Sequence, residues 1–355
     1  MIGMLFAEFF AELADLRLNG ASAQQGYRVA FAVALSVVLA AAIPLQEIWW
    51  AAISAYMVSQ ATRPASLRRG VLRVLGTICG AVIGLSCAST LAYDHLLCAL
   101  FLLISGMLGT LGFLLSAAGY AWLLGAITAM MVVLMSLIDP TVALSGAVNR
   151  VAEVVTGTAA AMLAALLFAP NTPAPSTALP GFTDLLGANR PALLHAGRSG
   201  LTVMLIPLVW VGLDLPRLPQ MAVTAAAVMA VQPPGGFEDH TPFATRAIQR
   251  LLGCLIGGAV GLLILTLSLT GFLPWLFALG SGVFVCTQIQ ASARGVGYVG
   301  TQAAVVFIMT LVQGSGPPTS IYPGIDRLVG VAGGLGILLL VSFVLWPVRK
   351  NQPAG

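Results

Sequence analysis

The chain has 355 residues, of which 59% are hydrophobic and 8% charged, and its mean hydropathy is +0.97. A soluble domain carries about 25% charged residues, so water cannot be the solvent for most of this surface, and lipid must be. The formal charge of +4 is small; its placement is more informative than its size, and no nucleic-acid partner is expected. The chain opens with MIGMLFAEFFAELADLRLNG, which lacks a basic residue before Arg17, whereas a secretory leader needs one ahead of its apolar core. Glu8, Glu12 and Asp15 recur at i, i+4 and i+7, opposite Phe6, Phe9, Phe10 and Leu13. That spacing predicts, within residues 1–25, an amphipathic helix at the membrane interface or packed on the bundle, ending near Asn19-Gly20.

Apolar segments follow near 27–43, 46–60, 70–92, 96–115, 119–137 and 147–169, forming a first repeat over 26–170. A stretch rich in Pro, Thr, Ser and Ala at 171–191 is expected to be a cytoplasmic linker. Further segments near 196–213, 219–232, 246–270, 273–290, 295–312 and 326–346 form a second repeat over 192–347, with a cytoplasmic tail at 348–355. The predicted fold is an all-α membrane protein, about twelve transmembrane helices in two tandem, parallel-oriented six-helix repeats. Its five cysteines (Cys79, Cys87, Cys98, Cys254 and Cys286) lie in apolar stretches and are expected to serve as small packing residues.

The repeat is legible in the glycines. Gly76, Gly80 and Gly84 stand four apart behind Arg73, and Gly253, Gly257 and Gly261 stand four apart behind Arg250, 177 positions later. Pro140 and Pro317, Arg150 and Arg327, Gly157 and Gly334, and Pro170 and Pro347 keep the same offset. Earlier in each half the offset is 172, relating Pro44 to Pro216, Met57 to Met229 and Gln60 to Gln232. A run of landmarks at fixed spacing indicates an internal duplication, and small residues four apart let helices pack closely in lipid.

Threading twelve spans from a cytoplasmic N-terminus puts Arg17, Arg28, Arg63, Arg68, Arg69, Arg73, Arg190, Arg198, Arg246, Arg250, Arg294, Arg349 and Lys350 on the cytoplasmic side. Only Arg150, Arg217 and Arg327 fall on the far side, which is a positive-inside pattern. Both termini are therefore expected in the cytoplasm. The segments at 46–60 and 219–232 are short and flanked by proline, and short segments at matching places in two halves point to a transport site.

No Walker loop, metal-ligand spacing or catalytic triad is present, so neither an enzyme nor a cofactor is expected. Ionisable groups in or near spans are the informative residues, because charge in hydrocarbon is costly and is retained for function. Arg73 and Arg250 head the glycine-striped helices, either as snorkelling anchors or as a paired lure for an anionic substrate at the cytoplasmic mouth. Arg150 and Arg327 defy the positive-inside rule at equivalent positions. Glu153, three residues after Arg150, is within reach of an i,i+3 pair; its counterpart is Gly330. It is the one carboxylate well inside a predicted span and the leading candidate for proton coupling. Trp49 and Trp50 fit an aromatic belt at the interface or a stacking surface for an aromatic substrate. Gln60 and Gln232 are placed to bind a ligand or to cap helix ends, while Gln288, Gln290, Tyr298 and Gln302 are expected to face the bundle.

The stretch Pro44-Leu-Gln-Glu-Ile-Trp-Trp-Ala-Ala-Ile-Ser54, the run from Arg68 to Gly84 and the segment from Arg150 to Pro170 resemble the fusaric-acid-resistance family, also grouped with aromatic acid exporters. The resemblance covers residues 26–170 well and 192–347 moderately. It implies efflux of small, often aromatic, carboxylic acids driven by the proton gradient across a bacterial inner membrane. A periplasmic membrane fusion (adaptor) protein is the partner it implies, beside the organic anion and the lipid bilayer; a homo-oligomer is a separate expectation. Many relatives carry a large cytoplasmic domain, whereas the linker here is about 20 residues. Plant anion channels of the malate type resemble the same family. A passive organic-anion channel is therefore the alternative to a transporter, and a non-transporting scaffold is the third reading. The substrate-binding set expected on these grounds is Arg73, Arg250, Gln60, Gln232, Trp50, Arg150 and Arg327, with Glu153 for protons.

Overall fold

The computed structural model describes residues 2–43, 45–91, 94–173, 186–187, 189–213, 218–230, 241–267, 269–318, 320 and 322–345. Among them the regular structure is helical: α1 (Ile2–Ala14), α2 (Ala21–Ala42), α3 (Ile48–Val58), α4 (Arg63–Leu91), α5 (His95–Leu115), α6 (Gly119–Ile138), α7 (Ala143–Phe168), α8 (Arg190–Leu213), α9 (Leu218–Met229), α10 (Thr241–Thr266), α11 (Phe272–Gln290), α12 (Gly297–Leu311) and α13 (Tyr322–Leu345), with a short 3-10 turn at Pro140–Val142. Each apolar segment read from the sequence is one of the helices α2 to α13. Gln232, Arg217, most of the expected linker and the tail lie outside the described residues, as do the side chains of Asp326 and Arg327.

Twelve full spans do not follow from twelve helices. Seven helices among the described residues are long and apolar enough to cross a membrane. Helices α3 and α9 have 11 and 12 residues. At about 1.5 Å per residue each is well under 20 Å long, short of a ~30 Å hydrocarbon core. Helix α3 is IWWAAISAYMV, apolar on every side, and all its residues but Met57 are buried. A helix without a polar face belongs inside a bundle, and α3 lies there, against α2, α7 and α12. The polytopic character holds, with α3 and α9 as internal short helices.

The glycine stripes set the closest helix pairs. Helix α4 packs on α6, and α10 packs on α12. A Cβ at Gly80 would collide with the carbonyl oxygen of Gly125, and one at Gly257 would collide with that of Ala303. The other neighbour relations also come in matched sets. Within the first half α2 touches α3 and α7, and α3 touches α7; within the second, α8 touches α9 and α13, and α9 touches α13. Between halves the pattern is swapped: α5 packs on α8, the counterpart of α2, while α11, the counterpart of α5, packs on α2. Helix α6 meets α9 as α12 meets α3. These reciprocal contacts are those of a pseudo-two-fold relation between the halves.

Helix α1 stops at Ala14, short of the Asn19-Gly20 end expected from the glycine. Leu5 and Phe9 pack against Leu252, Ile289, Val296 and Val299, while Met4, Phe6 and Phe10 stay exposed. The acidic face is clasped by Arg294, which lies 2.8 Å from Glu12 and 3.7 Å from Glu8 and also pairs with Asp15. Asp15 and Glu12 keep the exposed Arg294 guanidinium above its ordinary pKa. Gln288 ties the following segment down, accepting the N–H of Arg17 at 3.0 Å and donating to its carbonyl at 2.9 Å.

Candidate functional site

A cavity of about 340 Å3 lies between the two halves, walled by α3, α4, α6 and α7 from the first and α9, α10, α12 and α13 from the second. That is within the range of small-molecule sites. Its wall is mostly aliphatic and aromatic, yet Arg69, Arg73, Arg150, Arg246 and Arg250 all face it, and its described lining contains no aspartate or glutamate.

Four of these arginines form two matched sets. Arg69 and Arg73 stand one turn apart on α4, as Arg246 and Arg250 do on α10. Each set grips a tyrosine. Arg73 Nη1 donates to the Tyr120 hydroxyl at 2.7 Å, and the Arg69 guanidinium sits 4.3 Å from the Tyr120 ring centroid. Arg250 Nη1 lies 3.4 Å from the Tyr298 hydroxyl, and Arg246 sits 4.0 Å from that ring's centroid. Arg250 has further neutral partners, the Gln302 Oε1 at 2.7 Å and the Thr224 hydroxyl at 3.2 Å.

Arg150 comes from α7 and lies over the Trp50 ring, 3.0 Å from its centroid. Its Nη2 reaches the Met131 sulfur at 3.5 Å, a weak acceptor. Its Nη1 and Nε are buried without a hydrogen-bond partner, and the Nε of Arg69, Arg73, Arg246 and Arg250 is likewise unpartnered. Arg73, Arg150 and Arg250 are only 4%, 8% and 6% exposed. Insertion scales put an arginine at mid-membrane at about 2.5–3.5 kcal/mol. Such a cost is tolerated where a charge has work to do.

The burial excludes snorkelling for Arg73 and Arg250. Helix α4 begins at Arg63, so Arg73 lies about 15 Å along it. Arg150 lies about 10 Å along α7. Arg73 and Arg150, read from the sequence as near opposite membrane faces, therefore meet in one cavity. The short α3 makes this meeting geometrically feasible, since its Trp50 end begins inside the bundle. Trp49 and Trp50 are also buried, 2% and 7% exposed, so the interfacial-belt reading fails and Trp50 lines the cavity.

Helix α7 holds the start of α3 by three contacts. Arg150 covers Trp50, Glu153 Oε1 accepts the N–H of Glu47 at 2.8 Å, and Gly157 lies so near Ala51 that a Cβ there would strike its carbonyl oxygen. Glu47 Oε2 in turn accepts Trp50 Nε1–H at 3.0 Å. Glu153 is 1% exposed and does not line the cavity. It also does not form the expected ion pair with Arg150 within 4 Å, because its carboxylate is turned to the N-terminus of α3, where N–H groups and the helix dipole favour a negative charge.

The far end of α3 is capped. Arg28 Nη2 donates to the carbonyls of Gln60 at 2.7 Å and Ala61 at 3.2 Å. The Gln60 amide turns back on Met57 and Ser59, so this residue caps its helix and contributes nothing to the cavity lining. Tyr56 donates to Gln290 at 2.8 Å, which ties α3 to α11. Of the expected site residues, the cavity gathers Arg73, Arg150, Arg250 and Trp50, with Tyr298 and Gln302 beside them. Arg69, Arg246 and Tyr120 were missed. The i,i+4 arginine pairs recurring at one offset were the available signal, and they were absorbed into the positive-inside count.

A helical membrane bundle enclosing a cation-lined, largely apolar cavity is the construction of a small-molecule transporter or channel. Models of the fusaric acid resistance protein family and of fusaric acid resistance protein-like sequences match residues 23–178 and 201–341 respectively. The chain belongs to that family, whose members are membrane transporters. No curated protein and no solved structure gives a match.

Proposed function

We propose that the protein is a secondary transporter exporting small organic acids, aromatic carboxylates among them, across the inner membrane, with both termini in the cytoplasm. The observation that carries this is the convergence of Arg69, Arg73, Arg150, Arg246 and Arg250 on one apolar cavity whose described lining holds no carboxylate. Guanidinium N–H groups suit a planar carboxylate, and the aliphatic and Trp50 walls suit a ring. Glu153 takes the proton. Protonation removes the charge that holds the Glu47 N–H, loosens the start of α3 and shifts Trp50 and Arg150 together, so that anion and proton moves are linked through one short helix. A periplasmic adaptor is the partner for onward passage.

The test is pH-gradient-driven uptake of radiolabelled benzoate-type acids into inverted vesicles, wild type against the Arg73→Ala/Arg250→Ala double variant. Uptake by wild type that the double variant loses is the expected result. Absence of gradient-dependent uptake by wild type across the acid series would sink the proposal. Flux that equilibrates the acid without accumulating it would favour a passive channel.

A further inference from the structure

The cavity is cationic at two places, and the reading of it as an organic-anion site leaves open how many charges its ligand carries. The first pole is Arg73 and Tyr120 with Arg69 behind them, joined by Arg150 above Trp50. Arg73 and Arg150 line the same cavity. The second pole is Arg250 with Tyr298, Gln302 and Thr224, backed by Arg246. The poles come from corresponding helices of the two halves, α4 with α6 and α10 with α12, and both line the cavity. Aliphatic side chains such as Ile53, Met57, Ile127 and Met309 line the same space.

The partners of these guanidiniums are phenol, amide and hydroxyl oxygens, which orient a cation without neutralising it. Among the described residues, the carboxylates Glu47 and Glu153 beside Arg150 bond to Trp50 and to the backbone at the start of α3 and do not line the cavity. A ligand with one negative charge compensates one pole and leaves the other buried and bare. A ligand with an anionic group at each end of a short apolar spacer compensates both, and its second attachment benefits from the high effective concentration that the first creates.

Building on the organic-anion reading, we propose that the ligand of this cavity is a dianion with its two charged groups at opposite ends of a compact, preferably flat, apolar spacer. Benzene-1,4-dicarboxylate is the simplest probe. Arg150 and Arg73 hold one carboxylate, Arg250 holds the other, and the spacer lies between Trp50 and the aliphatic wall. The Nη1 and Nε of Arg150 and the Nε of Arg73 and Arg250 are buried without a protein acceptor, so these guanidiniums keep unused donor capacity.

The test is calorimetric titration of the purified full-length protein in detergent near neutral pH. The ligands are benzene-1,4-dicarboxylate, its monomethyl ester and benzoate; the ester keeps the size and removes one charge. The expected result is one equivalent of the diacid per chain, bound at least about tenfold more tightly than the ester. Arg73→Gln and Arg250→Gln should each bring the diacid down to the ester's affinity, with thermal unfolding in detergent confirming that the variants fold. The comparison of ligands on wild type decides the question even if a variant does not fold. Equal affinity for all three acids, or two equivalents of benzoate per chain, would overturn the dianion while leaving the organic-acid site intact. Failure of all three acids to bind would remove both readings.

Discussion

Helices α3 and α9 hold matching places in the two halves, one a clamped rod of large side chains and the other a plain run of small ones. Helix α3 is fixed at its start by Arg150, Glu153 and Gly157 and at its end by Arg28, with Tyr56 bonded to Gln290 between them. Helix α9, LPQMAVTAAAVM, puts Ala222 where α3 has Trp50, and Gly330 stands where α7 has Glu153. It meets Arg250 through Thr224, and His195 Nε2 lies 2.8 Å from the carbonyl of Met229 at its end. The arginine–tyrosine sets and the glycine stripes, by contrast, occur in both halves. Duplication has kept what two-fold packing and two cationic poles require, while among the described residues the Arg150, Glu153 and Gly157 grip is seen on α3.

That division can be broken experimentally, and the largest effect is expected at Arg150. Replacing it with Gln should lower gradient-driven uptake by about tenfold or more, since a 1.4 kcal/mol interaction already corresponds to tenfold. Thermal stability should hold or rise, because a buried, incompletely partnered charge is removed. A variant that transports normally would end the distinction drawn for α3. Glu153→Gln keeps an acceptor for the Glu47 N–H but holds the uncharged state, so the start of α3 is expected to loosen, with faster amide exchange there, while accumulation against a gradient is lost; retained accumulation would reduce Glu153 to an anchor.

Symmetry is sharpened by paired glycine changes. Gly80→Ala and Gly257→Ala should each destabilise by roughly 1–3 kcal/mol, through overpacking against backbone that cannot yield. Gly258→Ala should cost less, because its new methyl meets only the tip of Leu328. Denaturant unfolding of the three variants would show it, and unequal costs for the first two would argue against equivalent helix pairs. Arg294→Ala should speed amide exchange across residues 2–14 with little change in the melting of the bundle. The smallest effect concerns the loop before α7, where Asp139 has Gly316 as its counterpart. Thr141 donates twice to Asp139 Oδ1, from its N–H at 2.9 Å and its hydroxyl at 2.7 Å, holding this exposed carboxyl below its ordinary pKa. Any contribution to stability is thus present above the ordinary carboxylate pKa of about 3.9 and lost as pH falls through the depressed value. Thr141→Ala should move the Asp139 titration upward, which carboxyl NMR would detect.

The apolar segments were readable because each is a run of side chains that only lipid or other helices accept, and the glycine spacing was readable because close packing repeats every helical turn. Helix α3 was harder. Its all-round apolarity is equally that of a span, and only its neighbours show that it is an interior helix. The arginines at 69, 73, 246 and 250 looked like charges at a membrane face because α4 starts seven residues earlier than its apolar run suggests. Depth along a helix, rather than sequence hydropathy, decides what such a residue meets. Arg28 similarly counted as a topological charge, although it caps α3 across 32 positions of sequence.

The swapped contacts between halves, α5 on α8 and α11 on α2, have the form of an isologous interface, in which one patch meets a second and the second meets the first in return. Two separate copies of a single repeat would bury the same faces, but their union would depend on concentration in the bilayer. Carried on one chain, the partnership cannot be diluted. Each half is also free to change its side of the cavity without waiting for an identical change in the other. A fused pair can thus keep the outline of a dimer while serving a ligand whose two ends differ.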